Sequence, residues 1–243
     1  MIPKVTWKRS AQLVVVLLCA AAVKLYYSTA SVNHLRWILA PTTALVELVS
    51  GARFEFESHA GYINGERSFI IAASCAGVNF LITSFLMLAL RKLCGDSSQE
   101  TAWRFIPVAA LCAYLATLLA NTVRISTALR LRETPLETGW LSPNQLHRVE
   151  GILIYFGFLL LLLMISEKRS SENAPGSENA SGLLVRPFCP LLLYYATTLG
   201  IPLANGAYRQ GVDFWEHSLF VLLTPLLLVL PLATLRFYKG QRV

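Results

Sequence analysis

The sequence predicts an all-α polytopic membrane protein with about six transmembrane helices and a small extracytoplasmic segment patterned for a β-hairpin. Three observations predict it. Apolar runs close to the ~20 residues that a helix needs to cross the hydrocarbon recur along the chain. Hydrophobic residues make up 55% of the sequence and charged residues only 14%, with a mean hydropathy of +0.53, which is not the composition of an ordinary soluble domain. The basic residues are also divided unevenly among the connecting segments.

The first run, Ala11 to Val23 extended by Leu25, Tyr26 and Tyr27, follows a basic N-terminal stretch. Lys24, Tyr26 and Tyr27 do not make a small-residue cleavage site, so the run reads as a retained helix and not as a removed signal peptide. An outer segment of about 40 residues comes next, long enough to need structure of its own. Its first half, LRWILAPTTALVELVSG, reads as an amphipathic or re-entrant helix interrupted by Pro41. Its second half, FEFESHAGYINGERSFII, alternates apolar and polar residues around Gly61 and the Asn64-Gly65 turn signal, the pattern of a short hairpin.

Phe69 to Leu90, Phe105 to Val123 and Val149 to Ile165 supply three further spans, and Pro187 to Leu203 and Leu219 to Leu235 the last two. The stretch SEKRSSENAPGSENASG between them is polar and rich in Ser, Asn, Gly and Glu, as a linker is. The expected organisation is therefore a membrane core over 1–167, a cytoplasmic linker over 168–182 and a C-terminal two-helix hairpin over 183–243. No internal repeat is present.

Charge sets the expected orientation. With the N-terminus in the cytoplasm, the inner segments hold twelve of the 21 Lys and Arg residues against five acids, whereas the outer segments carry nine of each. Positive charge is retained on the cytoplasmic side during insertion, so the net charge of +7 is a topology signal. It does not mark a nucleic-acid binder, since no compact basic patch is interleaved with aromatics. The bilayer itself is the implied surrounding.

Counting crossings from that orientation brings the start of the Phe69 run, the end of the Phe105 run and the start of the Val149 run to one extracytoplasmic face. Cys75, Arg124 and His147 lie at those three ends. Cys75 sits in SCAGVNF, followed by the small residues Ala76 and Gly77, which leave room for a second backbone, and by Asn79 four residues on, on the same helical face. That placement puts the sulfur about two turns into the span. Arg124 closes NTVRIST with Asn121 three residues before it, and His147 heads LHRVEG with Glu150 three residues on.

Each has a bland counterpart. Membrane cysteines are mostly small hydrophobes, an arginine at a span end commonly snorkels, and a single interfacial histidine is more often structural. Cys19, Cys94, Cys112 and Cys189 fit the bland reading, with no CxxC or metal-ligand spacing, and Arg130 and Arg132 fit the snorkelling one. Three such residues on one face are harder to explain separately. Thiol chemistry needs a thiolate, which a neighbouring imidazolium or guanidinium favours.

The blocks SCAGVNFL, NTVRI and HRVEGILIYF, in that order and each at a span end, resemble the three motifs of the exosortase/archaeosortase family: a Cys block, an N-x-x-R block and an H-x-x-x-G block. The resemblance covers roughly residues 55–165 and is nearest to the exosortase K subgroup. It implies a membrane cysteine endopeptidase or transpeptidase of the bacterial inner membrane. Its partners would be exported proteins whose C-terminal sorting signal combines a short motif such as Pro-Glu-Pro, a transmembrane helix and a basic tail. Cys75 would then be the nucleophile that forms a thioester acyl-enzyme, His147 the general acid and base, and Arg124 the cation at the developing oxyanion or scissile carbonyl. Asn79, Asn121 and Glu150 are the supporting candidates, and no metal or organic cofactor is implied. Family members carry more helices before the Cys block, where this chain has one, and the C-terminal hairpin lies outside the resemblance.

Two other classes compete. A membrane thiol oxidoreductase needs a second cysteine or a quinone near Cys75, yet Cys94 would lie about 28 Å away along a helix. A non-enzymatic subunit or small transporter would place paired charges deep within its spans, whereas the ionisable residues here cluster at the ends. A serine intramembrane protease is weaker still, as no G-x-S-x-G occurs.

Overall fold

The apolar runs fold as helices. A computed structural model of the chain describes residues 7–65, 69–95, 99–133, 142–173, 188–231 and 234. It divides into two units, Met1–Leu136 and Glu137–Val243. Among the described residues, five helices are long and apolar enough to cross a membrane: Trp7–Thr29, Ala73–Leu93, Trp103–Arg132, Gln145–Lys168 and Phe214–Pro231. The sixth expected span corresponds to a shorter apolar helix, Pro190–Ala204, whose 15 residues extend only about 22 Å. The architecture is mostly helical with one small sheet, consistent with an all-α membrane protein.

In the first unit, α1 (Trp7–Thr29) is followed by α2 (Arg36–Ser50), then by β1 (Phe54–Glu57), β2 (Gly61–Asn64) and β3 (Ile70–Ile71), a single 3-10 turn (Ala73–Ala76), α3 (Val78–Gly95) and α4 (Gln99–Glu133). α3 is the hub, packed on both α1 and α4. Its sequence is apolar on every side because it is enclosed on most sides: 67% of its span window is buried, against 17% for α1. α4 shows the inverted pattern of a membrane helix. Ala109, Ala113, Ala116 and Ala120 form a buried stripe that lets neighbours approach closely, while Val108, Leu111, Leu115, Leu119 and Val123 are exposed on the other side. Four buried hydroxyls of α3 and α4 are satisfied within their own helices: Thr83 donates to the Asn79 carbonyl, Ser84 to Phe80, Thr117 to Ala113 and Thr122 to Leu118.

Two local expectations for the outer segment change. α2 runs through Pro41 without a break. Proline has no N–H to give the Trp37 carbonyl, and the Tyr114 hydroxyl of α4 donates to that oxygen instead, at 2.8 Å, with its ring stacked 5.8 Å from that of Trp37. The expected hairpin is a three-stranded antiparallel meander in the order β1-β2-β3. Asn64 does open the second turn, since its side-chain oxygen accepts the Phe69 N–H at 2.9 Å, and Ile70 and Ile71 then pair with Ile63 and Tyr62. Gly61 (φ +123°) lies so close to the Ile71 carbonyl that a Cβ there would collide with it. The strand withdraws Phe69–Ile71 from the membrane run in which hydrophobicity alone had placed them.

The second unit holds α5 (Pro143–Asn173), α6 (Phe188–Tyr195), a π-helical turn (Ala196–Gly200), α7 (Ile201–Ala204), a 3-10 turn (Ala207–Gln210) and α8 (Val212–Leu223). α5 continues to Asn173, so the first residues of the expected linker extend the helix, and 174–187 lie outside the described residues. α6 and α8 pack on α5, with Tyr194 edge-on to Phe156 at 5.7 Å, and the Tyr195 hydroxyl donates to the Leu222 carbonyl at 2.6 Å.

Candidate active site

Cys75 stands between the sheet and the hub helix. After β3 the chain makes one 3-10 turn, Cys75 N–H donating to the Ala72 carbonyl at 2.9 Å, and Gly77 then adopts a left-handed conformation (φ +67°) before α3 begins at Val78. This corrects the helical-face argument. Cys75 belongs to the turn that precedes α3 and not to its second turn, because the strand consumes the residues that would have lengthened the helix. Asn79 is the second residue of α3 and shares no continuous helix face with Cys75. Cys75 is a half-buried free thiol.

Gly77 docks this turn onto α4. A Cβ at Gly77 would stand 2.6 to 3.0 Å from the side-chain amide atoms of Asn121, so only glycine supplies both the left-handed backbone and the space. The small residues after Cys75 therefore admit a side chain, where a second backbone was expected. Asn121 is fully buried and Arg124, three residues further along α4, is half-buried. The Cys block and the N-x-x-R block meet through this contact.

α1 contributes two residues that the sequence reading used only to argue against signal cleavage. Lys24 Nζ donates to Asn79 Oδ1 at 2.7 Å and lies 5.8 Å from the Tyr27 ring centroid. The Tyr27 hydroxyl is 3.5 Å from the Ala73 carbonyl, to which it donates, and is within electrostatic reach of both Cys75 and Arg124. A lysine followed closely by tyrosine at the end of an otherwise apolar run was the available signal. In this unit Cys75, Asn79, Asn121 and Arg124 thus gather where α1 ends and α3 begins, with Lys24 and Tyr27 among them; Arg124 does not close its helix as expected, because α4 runs on to Glu133.

In the second unit His147 lies near the start of α5. Ser142 and Gln145 form a reciprocal capping box: the Ser142 N–H donates to Gln145 Oε1 at 2.9 Å and the Gln145 N–H to Ser142 Oγ at 3.3 Å, with Pro143 at the first helical position. His147 Nδ1 is 3.1 Å from Glu150 Oε2; the histidine side chain is 47% exposed and the glutamate 9%. A carboxylate so placed can fix the orientation and tautomer of an imidazole. The end of α5 is held in turn by Glu216 of α8, whose Oε1 accepts from Gln145 Nε2 at 2.9 Å and lies 3.8 Å from the Arg148 guanidinium. From sequence, the outer loop that carries Glu216 reads as able to contact substrate or a partner, with no catalytic role.

No group of three or more His, Cys, Asp or Glu positioned to hold a metal ion occurs among the described residues. The first unit offers a thiol, a guanidinium, an ammonium and two carboxamides, and the second an imidazole with a carboxylate partner. No family model, no curated protein and no solved structure matches the chain.

Proposed function

We propose that the chain is a membrane-embedded cysteine endopeptidase or transpeptidase that cleaves C-terminal sorting signals of exported proteins at the extracytoplasmic face of a bacterial inner membrane. The observation that carries the reading is the docking of the Cys75 turn onto Asn121 through Gly77, which joins the thiol and the Arg124 helix in one packed unit. The three-motif resemblance and the charge asymmetry of the loops support the substrate class and the orientation.

In this reading the Cys75 thiolate attacks the scissile carbonyl and Arg124 stabilises the negative charge that builds on its oxygen. His147, oriented by Glu150, delivers a proton to the leaving amine, and the C–N bond breaks to leave a thioester on Cys75. The same imidazole then takes a proton from water or from an acceptor amine as the thioester is resolved. Arginine suits its place better than lysine, because a planar fork can hold a carbonyl oxygen from two nitrogens.

The reading is tested in membranes of cells co-expressing the chain with an exported reporter that ends in a motif, a transmembrane helix and a basic tail. Trimming of the reporter at one bond, seen by mass spectrometry with the wild-type chain and lost in Cys75→Ala, is the expected result. The mass of the new terminus separates hydrolysis from transfer. Equal trimming with both chains removes Cys75 as nucleophile, and an intact reporter with the wild type overturns the assigned substrate class.

A further inference from the structure

We propose that Lys24 and Tyr27 make α1 a working part of the Cys75 site: Lys24 is a positioning residue that fixes the Asn79 carboxamide, and Tyr27 presents its hydroxyl to the reacting sulfur. The inference rests on the reading of Cys75 as a reactive thiol and goes beyond the three motif residues.

Lys24 does not behave as an interfacial anchor. A lysine near a span end ordinarily carries its ammonium outward to water. This one is half-buried and turns to a neutral amide on the hub helix, 2.7 Å from Asn79 Oδ1, and no carboxylate pairs with it among the described residues. An ammonium only donates, so the amide oxygen must face it. The Asn79 NH2 is then left as a donor on the second residue of α3, three residues after the turn that holds Cys75.

Tyr27 lies one turn further along α1. Its hydroxyl is at the limit of hydrogen-bond distance from the Ala73 carbonyl, two residues before Cys75, and stands within electrostatic reach of both Cys75 and Arg124. A hydroxyl with so weak an acceptor gains most from an anion nearby. The charged and titratable groups around the turn are therefore Lys24 and Tyr27 from α1 and Arg124 from α4. α2, which also packs on the turn, carries Arg36, stacked 4.5 Å from the Phe56 ring, and Glu47, whose Oε1 accepts the Phe54 N–H at 2.8 Å. Both are engaged with the sheet. Cations beside a thiol favour its thiolate form.

The competing view is that Lys24 and Asn79 only hold α1 to α3. The two views part on the reactivity of Cys75, which needs no substrate to measure. The full-length protein is alkylated with iodoacetamide across the neutral and alkaline range, and modification of Cys75 is followed by peptide mass spectrometry. Lys24→Met and Tyr27→Phe are each expected to move half-maximal alkylation to higher pH and to slow it near neutrality by about threefold to tenfold. Lys24→Arg restores the wild-type profile. Asn79→Leu reproduces Lys24→Met, and the double variant adds nothing to either, as expected if Lys24 acts through Asn79. Tyr27→Phe removes one oxygen and keeps the ring, so it reports even if Lys24→Met fails to fold.

Superimposable profiles for Tyr27→Phe and the wild type, or a Lys24→Arg profile displaced as far as that of Lys24→Met, overturn the inference. Unchanged alkylation alongside intact reporter trimming defeats this proposal alone. Shifted alkylation with no trimming sustains it and defeats the peptidase reading instead.

Discussion

The two regions that carry the candidate residues are built in opposite ways. Around Cys75 nearly every positioning contact joins residues far apart in sequence: Lys24 to Asn79, Tyr27 to Ala73, and Gly77 to Asn121. Around His147 most are local: a capping box between residues 142 and 145 and a carboxylate one turn on, with Glu216 as a distant brace. A site held by long-range packing fails when any partner helix shifts, whereas a site written into one helix end survives changes elsewhere. The cysteine end should therefore be brittle and the histidine end tolerant, and substitutions that leave the chemical groups untouched can separate the two.

Gly77→Ala is the largest expected effect. The left-handed backbone alone costs a non-glycine residue about 1–2 kcal/mol, and the new Cβ would press on the Asn121 amide at 2.6 Å, adding an overpacking cost of roughly 1–3 kcal/mol. Thermal unfolding of the purified protein should show the loss. Cys75 alkylation should change with it, because the turn must lift from α4. A variant as stable and as reactive as the wild type would mean that the turn adapts easily and that the two ends do not differ in tolerance.

Arg124→Lys comes next. It keeps the charge and the helix but removes the planar fork, so if the guanidinium holds the developing oxyanion, trimming of the reporter should fall by on the order of 10²-fold with little change in stability. Glu150→Gln is expected to be milder, with turnover reduced by roughly tenfold to a hundredfold, since an amide oxygen still accepts from the imidazole while the carboxylate charge is lost. Reporter trimming followed over time reads both. Should Glu150→Gln exceed Arg124→Lys, the histidine end would be the more demanding of the two.

The same contrast explains what was legible in the sequence. The order of the five long helices follows from hydrophobicity, and the His147–Glu150 pair follows from helical spacing, because both are local properties. The capping box S-P-N-Q could have been read as well, which would have fixed the start of α5. What escaped was set by distant partners. Nothing near Pro41 shows that Tyr114 will satisfy the Trp37 carbonyl and let the helix continue. Nothing in FII shows that pairing with β2 will outweigh its membrane-like composition, move the start of α3 to Val78 and detach Asn79 from the face of Cys75. Lys24 was visible as a charge in an apolar run, but its partner was not.

Gly157→Ala gives the smallest expected effect and the sharpest control, since it makes the same chemical change as Gly77→Ala in the other unit. Gly157 lies within α5, and a Cβ added there meets nothing within 4 Å. Alanine in a helix interior is favoured over glycine by up to about 1 kcal/mol, so thermal stability should stay level or rise slightly. The capping box and the His147–Glu150 pair lie about two turns or more away along the same helix, and neither should notice. If Gly157→Ala were as damaging as Gly77→Ala, general intolerance of added methyl groups in a membrane bundle would account for both, and the brittleness at Cys75 would have no special cause.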